Sequence, residues 1–173
     1  MSNVIGRPAA SEYNQYYGPY IDCVPDGDLL ELLENQIGEL KGLLKGVSDE
    51  EAAKLHEPYT WTIKQVAGHL IDSEKLFGWR AHRFGVGDET PVPGMEQNPY
   101  VDGMDYTKIS LAELADEWEL ARRSNLSFFR RLSNKAWDNV GTASDNPITV
   151  RALAYLLVGH IIHHIQVMEK RVA

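Results

Sequence analysis

The sequence predicts an all-α protein, a four-helix bundle with a long loop between the second and third long helices. Four stretches of about 19 to 25 residues repeat apolar side chains every three or four positions, which is typical of amphipathic helices. No stretch alternates apolar and polar residues convincingly, so we expect no strands. The chain has 173 residues, of which 43% are hydrophobic. This is enough for one domain with a substantial core, and we expect a single domain over residues 1–173.

The first two long helices have recognisable starts. The first is predicted at about residues 28–46, after an aspartate that can cap it. The second is predicted at about residues 62–84, where Thr62 and Gln65 have the spacing of a capping box. A short helical turn is expected between them, beginning at Ser48, which has its own capping-box partner three residues later.

The third and fourth long helices complete the predicted bundle. The third begins with a capping box formed by Ser110 and Glu113 and is predicted to run to about Leu132. The fourth follows Pro147 and Thr149 and is predicted to run almost to the end of the sequence.

Two segments, residues 1–27 and 85–109, have no helical pattern. The second contains three prolines and is unusually long for a loop within a compact domain. Loops of this length often act as lids or as walls of substrate sites. A crossover that lets two helices of the bundle run parallel is an equal and compatible alternative.

Composition and charge exclude several classes of protein. The chain has 17 Lys and Arg against 25 Asp and Glu, and the formal net charge of −8 opposes a general affinity for nucleic acid. No apolar run approaches the roughly 20 residues of a membrane helix, and residues 1–20 are unlike a signal peptide. Cys23 is the single cysteine and cannot form an internal disulfide. We therefore expect a soluble cytoplasmic protein with no nucleic-acid or membrane partner.

Two histidines of the fourth helix have the spacing of metal ligands. His160 and His164 lie one turn apart on the same face, within an apolar stripe. Histidines at this spacing can converge on one ion, and burying both without a shared partner is costly. A third ligand from a facing helix would complete a three-histidine site with an open coordination position. The alternative is that both are core residues. His163 lies to the side of His160 on the helix, so its ring is less well directed toward a shared ion.

His69 is the isolated histidine of the second long helix, and its face also points to the bundle interior. Taken alone, it is interpreted as a structural core residue. Asp72 lies about 60° off that face and could be a partner of His69, a general base or a solvated residue, of which we favour the last. Glu74 is predicted at the surface. Because Ile161 follows His160, the H-E-x-x-H pattern is missing, and any base must come from elsewhere.

Arg80 lies almost directly above His69 on the interior face of the same helix, where an arginine is unusual. It could bind the carboxylate of a substrate that enters under the 85–109 loop. The favoured alternative is an ion pair with an acidic residue of that loop. The candidates are Asp88, Glu89, Glu96, Asp102 and Asp105.

The face of the fourth helix opposite the histidines is also apolar, with Ala154, Val158, Ile162 and Ile165. A helix that is apolar all round is buried on both sides. This predicts a homodimer formed across the second face. The alternative is that the tyrosine-rich N-terminal segment folds over the helix.

Two separated motifs resemble those of the DinB-like metal-binding bundles. One is Trp61-Thr-Ile-Lys-Gln-Val-Ala-Gly-His-Leu-Ile-Asp-Ser-Glu, and the other is Ala154-Tyr-Leu-Leu-Val-Gly-His-Ile-Ile-His-His-Ile. The Arg80-Ala-His-Arg-Phe-Gly stretch and the opening segment are also similar, so the resemblance covers nearly the whole chain. It implies a four-helix bundle, commonly dimeric, with a three-histidine site for a divalent ion such as zinc or nickel. Carried over by residue, the ligands are His69, His160 and His164.

The resemblance also implies a function, because related proteins include bacillithiol and mycothiol S-transferases and a mycothiol-dependent maleylpyruvate isomerase. The leading hypothesis is a metal-dependent enzyme, a transferase that uses a low-molecular-weight thiol as co-substrate and a small-molecule electrophile as substrate. An ion with an open position lowers the pKa of a bound thiol, which then attacks as thiolate. One alternative is a metal-dependent hydrolase that uses metal-bound hydroxide. The other is a non-catalytic dimeric bundle stabilised by the ion.

Overall fold

The computed structural model describes residues 5–172, and the long helices in this range pack as a bundle. In chain order the α-helices are α1 (Gly18–Asp22), α2 (Leu29–Lys45), α3 (Asp49–Ala52), α4 (Ile63–Gly85), α5 (Gln97–Asp102), α6 (Leu111–Phe129) and α7 (Val150–Val172). The long helices are α2, α4, α6 and α7. Both α2 and α4 pack against α6 and against α7, so the order around the bundle is α2, α6, α4, α7. The predicted all-α four-helix bundle is confirmed.

Side-chain caps fix the helix starts that the sequence predicted. The Asp28 carboxylate accepts hydrogen bonds from the first amides of α2. Complete capping boxes open α4, with Thr62, and α6, with Ser110. At α3 only half of the predicted capping box forms: the Ser48 hydroxyl accepts from the amide of Glu51, whose carboxylate instead pairs with a lysine. Helix α6 ends at Phe129, about one turn before the predicted end.

The expectation of no strands was wrong. Strands β1 (Val140–Ala143) and β2 (Asn146–Thr149) form an antiparallel hairpin just before α7. The two turn residues, Ser144 and Asp145, have φ values of 53° and 61°. A two-residue hairpin turn of type I′ requires positive φ at both positions. The two strands read Val-Gly-Thr-Ala and Asn-Pro-Ile-Thr, and neither alternates apolar and polar residues, so the pattern did not predict them.

The two segments without a helical pattern contain short helices. Helix α5 lies in the long loop between α4 and α6, which also has a 3-10 turn at Tyr106–Lys108. The N-terminal segment contains α1 and the 3-10 turns Ala10–Glu12 and Gln15–Tyr17. A helix of one or two turns shows too few apolar repeats for its period to be detected.

The N-terminal segment folds over α7, which is the alternative to a dimer that the sequence left open. Helix α1 packs along α7, and the carbonyl of Tyr20 lies so close to Gly159 that a Cβ there would overlap it. The Glu12 carboxylate accepts hydrogen bonds from Arg151 at 2.9 Å and from Thr149 at 2.9 Å. A homodimer stays a prediction.

Glu74 is buried, contrary to the prediction of a surface position. Its side chain and that of Arg122 are 1% and 0% exposed, and they form a two-pronged ion pair with N···O distances of 2.9 and 2.8 Å. Arg122 also donates to the Gln36 side chain and to the backbone carbonyls of Leu33 and Leu157. The pair therefore links α4 to α6 and, through Arg122, reaches α2 and α7. The period of α4 alone does not reveal a partner on another helix.

By length and composition alone, α7 would be able to cross a membrane, which the sequence analysis did not expect. Of its most apolar stretch, 61% is buried inside the protein. The core helix of a bundle meets the same criteria, so the observation is weak evidence for a membrane span.

Candidate metal centre

Three histidines from α4 and α7 meet inside the bundle. The Nε2 atom of His160 lies 3.1 Å from that of His69 and 3.1 Å from that of His164. Candidate ligand atoms of all three residues lie within 4.8 Å of one another. Two nitrogens bound tetrahedrally to one zinc ion at about 2.0–2.1 Å are about 3.3 Å apart. The spacing of these nitrogens therefore fits a shared divalent ion.

The positions of the rings follow from helix geometry and packing. His160 and His164 are one turn apart on α7. Helix α4 packs against α7, and this packing brings His69 to them, although His69 and His160 are 91 residues apart in sequence. His69 and His160 are 4% and 8% exposed, and His164 is partly buried. The sequence-predicted ligands are thus brought together, whereas His163 is exposed and lies outside the group.

Burial keeps the three imidazoles neutral. It lowers the pKa of His69 to about 4, with a smaller contribution from His163. It lowers the pKa of His164 to about 3, helped by the neighbouring histidines and by Arg171. The pKa of His160 falls well below its usual value for the same reason, burial first and adjacent histidines second. At neutral pH each ring can therefore offer a nitrogen lone pair, which is what a metal ion requires.

Hydrogen bonding within the chain does not account for this arrangement. The Nε2 atom of His160 faces two other ring nitrogens but carries either one proton or one lone pair. In the described part of the chain, the buried Nδ1 atoms of His69 and His164 have no hydrogen-bond partner. A divalent ion would use the Nε2 lone pairs of all three rings at once. The residues present therefore fit such an ion.

Aromatic side chains, and not carboxylates, pack against the imidazole rings of His69 and His160. The ring centroid of Trp61 is 5.1 Å from that of His69. The rings of Tyr20 and Phe77 lie 5.6 and 6.0 Å from that of His160. Within residues 5–172 no fourth His, Cys, Asp or Glu belongs to the group. An ion bound there would keep an open coordination position.

A cavity of about 110 Å³ opens beside His69 and His160. Three irregular segments of the chain complete its wall. They contribute Tyr16, Tyr17 and Tyr20 from the N-terminal segment, Met95 and Gln97 from the long loop, and Ser144 from the hairpin turn. The long loop is therefore a wall of the site, one of its two expected roles. No Asp or Glu is among the described residues that line the cavity. A larger cavity of about 350 Å³ beside Trp137 and Arg151 has no histidine in its wall.

The cavity-lining tyrosines and Ser144 were not predicted as site residues. The N-terminal tyrosines form a visible cluster in the sequence, but nothing in their spacing connects them with histidines more than 40 residues away. Asp72, a candidate base, is absent from this cavity and lies partly buried beside Tyr106. Burial raises the pKa of Asp72 there.

Arg80 lines the same cavity and does not form the expected ion pair with the long loop. Its side chain is 2% exposed, and Nη2 donates to the carbonyl of Pro93 at 2.8 Å and to the Ser144 hydroxyl at 3.4 Å. The acidic residue Asp88 pairs with Arg83 instead, at 2.8 Å. Burial lowers the pKa of Arg80, and its contact with Tyr17 opposes this effect.

Comparisons with known proteins agree with this fold. No curated protein matches the chain. The structure of YfiT from Bacillus subtilis is similar, with a TM-score of 0.74 and a sequence identity of 18%. The match covers 96% of this chain and 91% of YfiT. YfiT is described as a probable metal-dependent hydrolase with an unusual four-helix bundle topology. The mycothiol-dependent maleylpyruvate isomerase matches with a TM-score of 0.68 and 15% identity over 84% of this chain, which spans 61% of the isomerase.

These low identities establish similarity of fold only. The model of one family, the DinB superfamily, matches residues 32–168, a range that contains all three clustered histidines. Because this match covers well over half of the sequence, the chain belongs to the DinB superfamily.

Proposed function

We propose that this protein is a metal-dependent enzyme that activates a small-molecule thiol for transfer to an electrophile. In this proposal His69, His160 and His164 hold a divalent ion, zinc or nickel. The proposal depends most on one observation, the convergence of three neutral Nε2 atoms, two of which belong to histidines that line a small cavity, His69 and His160. The match to a mycothiol-dependent isomerase supports the use of a thiol.

The ion would lower the pKa of a thiol bound at its open position, so that the thiol reacts as thiolate at neutral pH. The residues of the chain would do the rest. The three imidazoles would hold the ion beside the cavity that His69 and His160 line, and Tyr20 and Phe77 pack against His160 and limit the access of water. The thiol proton leaves to solvent, and a new carbon–sulfur bond forms as the leaving group departs. Cys23 is absent from the cavity wall, so the nucleophilic sulfur comes from the co-substrate.

Hydrolysis is the second candidate, favoured by the similarity to YfiT over nearly the whole chain. Hydrolysis of an ester or amide generally needs a group that removes a proton from water and one that protonates the leaving group. No described residue of the cavity wall is an Asp or Glu that could serve in this way. The ion would lower the pKa of bound water as well as that of a thiol, so the two reactions differ at the leaving group. Displacement of a stable anion such as chloride by a thiolate needs no proton donor, and for this reason we place thiol transfer first.

Elemental analysis of the purified, tag-free protein after incubation with zinc or nickel tests the metal site. We expect about one ion per chain in the wild type and none in His160→Ala. His163→Ala is the matched control, because it removes the neighbouring exposed histidine, and it should keep the ion. Absence of metal from the wild type would overturn the proposal.

The loaded protein then distinguishes the two reactions. Thiol transfer predicts that an added thiol is consumed, together with a chloronitroarene electrophile, in a reaction that His160→Ala lacks. Metal-dependent cleavage of an ester with no added thiol, combined with no thiol consumption, would instead establish the hydrolase.

A further inference from the structure

The Arg80 guanidinium is a buried positive charge without a negative partner in the described part of the chain. Both of its hydrogen bonds come from Nη2 and go to neutral oxygens, those of Pro93 and Ser144. Its Nε atom is buried and has no partner within residues 5–172. A buried charge that meets only neutral groups is unfavourable by several kcal/mol unless an anion joins it.

Neighbouring charges do not change this conclusion. Arg83, one turn further along α4, has its own carboxylate from Asp88. Arg122, the other buried arginine, has Glu74. Arg80 is therefore the exception among these three, and it lies in the wall of the histidine cavity.

The path from Arg80 to the histidines runs along one aromatic ring. The Arg80 Cζ atom lies 6.0 Å from the ring centroid of Phe77, and that ring lies 6.0 Å from the ring of His160. A short molecule that binds beside His160 and lies against Phe77 would therefore bring its far end toward the guanidinium. The planar fork of an arginine matches a carboxylate, to which it can donate two parallel hydrogen bonds.

We propose that the molecule bound at the three-histidine centre carries a carboxylate and that Arg80 binds it. The proposal rests on the proposed function for the identity of that molecule, a small thiol. The thiol sulfur lies at the histidine end of the cavity and the carboxylate at the Arg80 end. The volume of about 110 Å³ restricts the part of the molecule inside the cavity to a few non-hydrogen atoms.

Thiol binding to the cobalt-loaded protein tests this, with the sulfur-to-cobalt charge-transfer absorption as readout. The probes are ω-mercaptocarboxylates of two to six carbons and the mercaptoalcohols of the same lengths. In the wild type we expect at least one carboxylate to bind about 10- to 100-fold more tightly than its alcohol, as for a charge-assisted hydrogen bond. In Arg80→Gln this preference should disappear while the Kd of the alcohol stays unchanged.

Two controls separate Arg80 from other effects. Arg83→Gln removes a positive charge one turn away and outside the cavity, so it should keep the preference for carboxylates. Arg80→Lys keeps the charge without the fork and should retain a weaker preference, which serves if Arg80→Gln does not fold. A purely structural role, in which Arg80 only ties Pro93 to Ser144, would lower the Tm of Arg80→Gln and leave the preference intact.

The possible failures are distinguishable. Equal binding of carboxylates and alcohols by the wild type overturns the carboxylate proposal alone, because thiols still bind. A preference that persists in Arg80→Gln also overturns it, since the ion itself would then attract the carboxylate. No charge-transfer band with any thiol overturns the proposed function and this inference together.

Discussion

Two arginines show how differently the molecule treats a buried charge. Arg122 is fully buried and fully paired, with a two-pronged contact to Glu74 and further bonds to Gln36 and to backbone carbonyls. Arg80 is almost as deeply buried but meets only neutral oxygens. The first arrangement satisfies its charge within the chain and is structural. The Arg80 arrangement leaves a hydrogen-bond donor, Nε, without a partner in the described part of the chain, at the wall of a cavity that a ligand could enter.

The Glu74–Arg122 pair gives a prediction for stability. Glu74→Ala should lower the free energy of unfolding by about 3–5 kcal/mol, because it leaves the Arg122 guanidinium buried without a counterion. Glu117→Ala is the matched control, since Glu117 pairs with Lys75 at an exposed position, and it should cost less than about 1 kcal/mol. Denaturation with urea measures both values. Equal effects of the two substitutions would contradict the prediction.

The packing of α1 on α7 depends on a glycine. Gly159 lies on α7 where the backbone of α1 approaches most closely, and the Cys23 thiol also contacts its carbonyl oxygen. Since α1 also brings Tyr20 to the cavity wall, this contact links the N-terminal segment to the site. The absence of a side chain at this position is therefore required by the approach of another helix.

Gly159→Ala should displace α1 from α7. The added Cβ would overlap the Tyr20 carbonyl, and this backbone atom cannot move away without moving the helix. We expect faster hydrogen–deuterium exchange in residues 18–24 and a lower Tm. Gly38→Ala on α2 is the control, because its Cβ would meet open space, and it should stabilise the protein by about 0.5–1 kcal/mol. Unchanged exchange in residues 18–24 of Gly159→Ala would refute the account.

The elements that the sequence could predict are those with long local patterns. The period of α4 and the Thr62 cap predicted that helix, and the spacing of His160 and His164 predicted their common direction. The hairpin turn at Ser144 and the short helix α1 could not be found, since a few residues do not establish a period. These same short elements supply Ser144 and Tyr20 to the cavity wall. The common direction of His160 and His164 could therefore be predicted from the chain itself, whereas His69 was named with them only through the family resemblance. The shape of the cavity could not be predicted.

The local sequence pattern also could not predict which residues of other elements pair with a given side chain. Glu74 is buried against Arg122 of α6, and Arg80 donates to the carbonyl of Pro93 in the long loop instead of to a carboxylate. Both facts depend on contacts between residues far apart in sequence. The sequence could identify Arg80 as unusual, and the three-dimensional arrangement was needed to exclude an acidic partner among the described residues.

At the scale of the whole molecule, the three histidines lie at the contact between two long helices. Helices α4 and α7 are neighbours in the bundle, and each contributes ligands from its buried face. An ion there would bind the folded chain and not the unfolded one, because the three nitrogens are brought together only by folding. Metal binding would therefore add its free energy to the stability of the bundle.

Removal of metal should accordingly lower the Tm of the whole protein. With zinc present at about 100 times its Kd, binding adds about 2.7 kcal/mol, which for a chain of this size raises the Tm by about 5–10 °C over the chelator-treated protein. His163→Ala should respond to zinc as the wild type does, because its ring lies outside the group. His69→Ala should lose most of the response, since only the two α7 ligands remain and the link to α4 is gone.

Calorimetry with and without zinc compares each variant with itself, so a general loss of stability in His69→Ala does not affect the result. A wild type whose Tm ignores zinc, or a His69→Ala variant that gains as much as the wild type, would contradict an ion shared between the two helices.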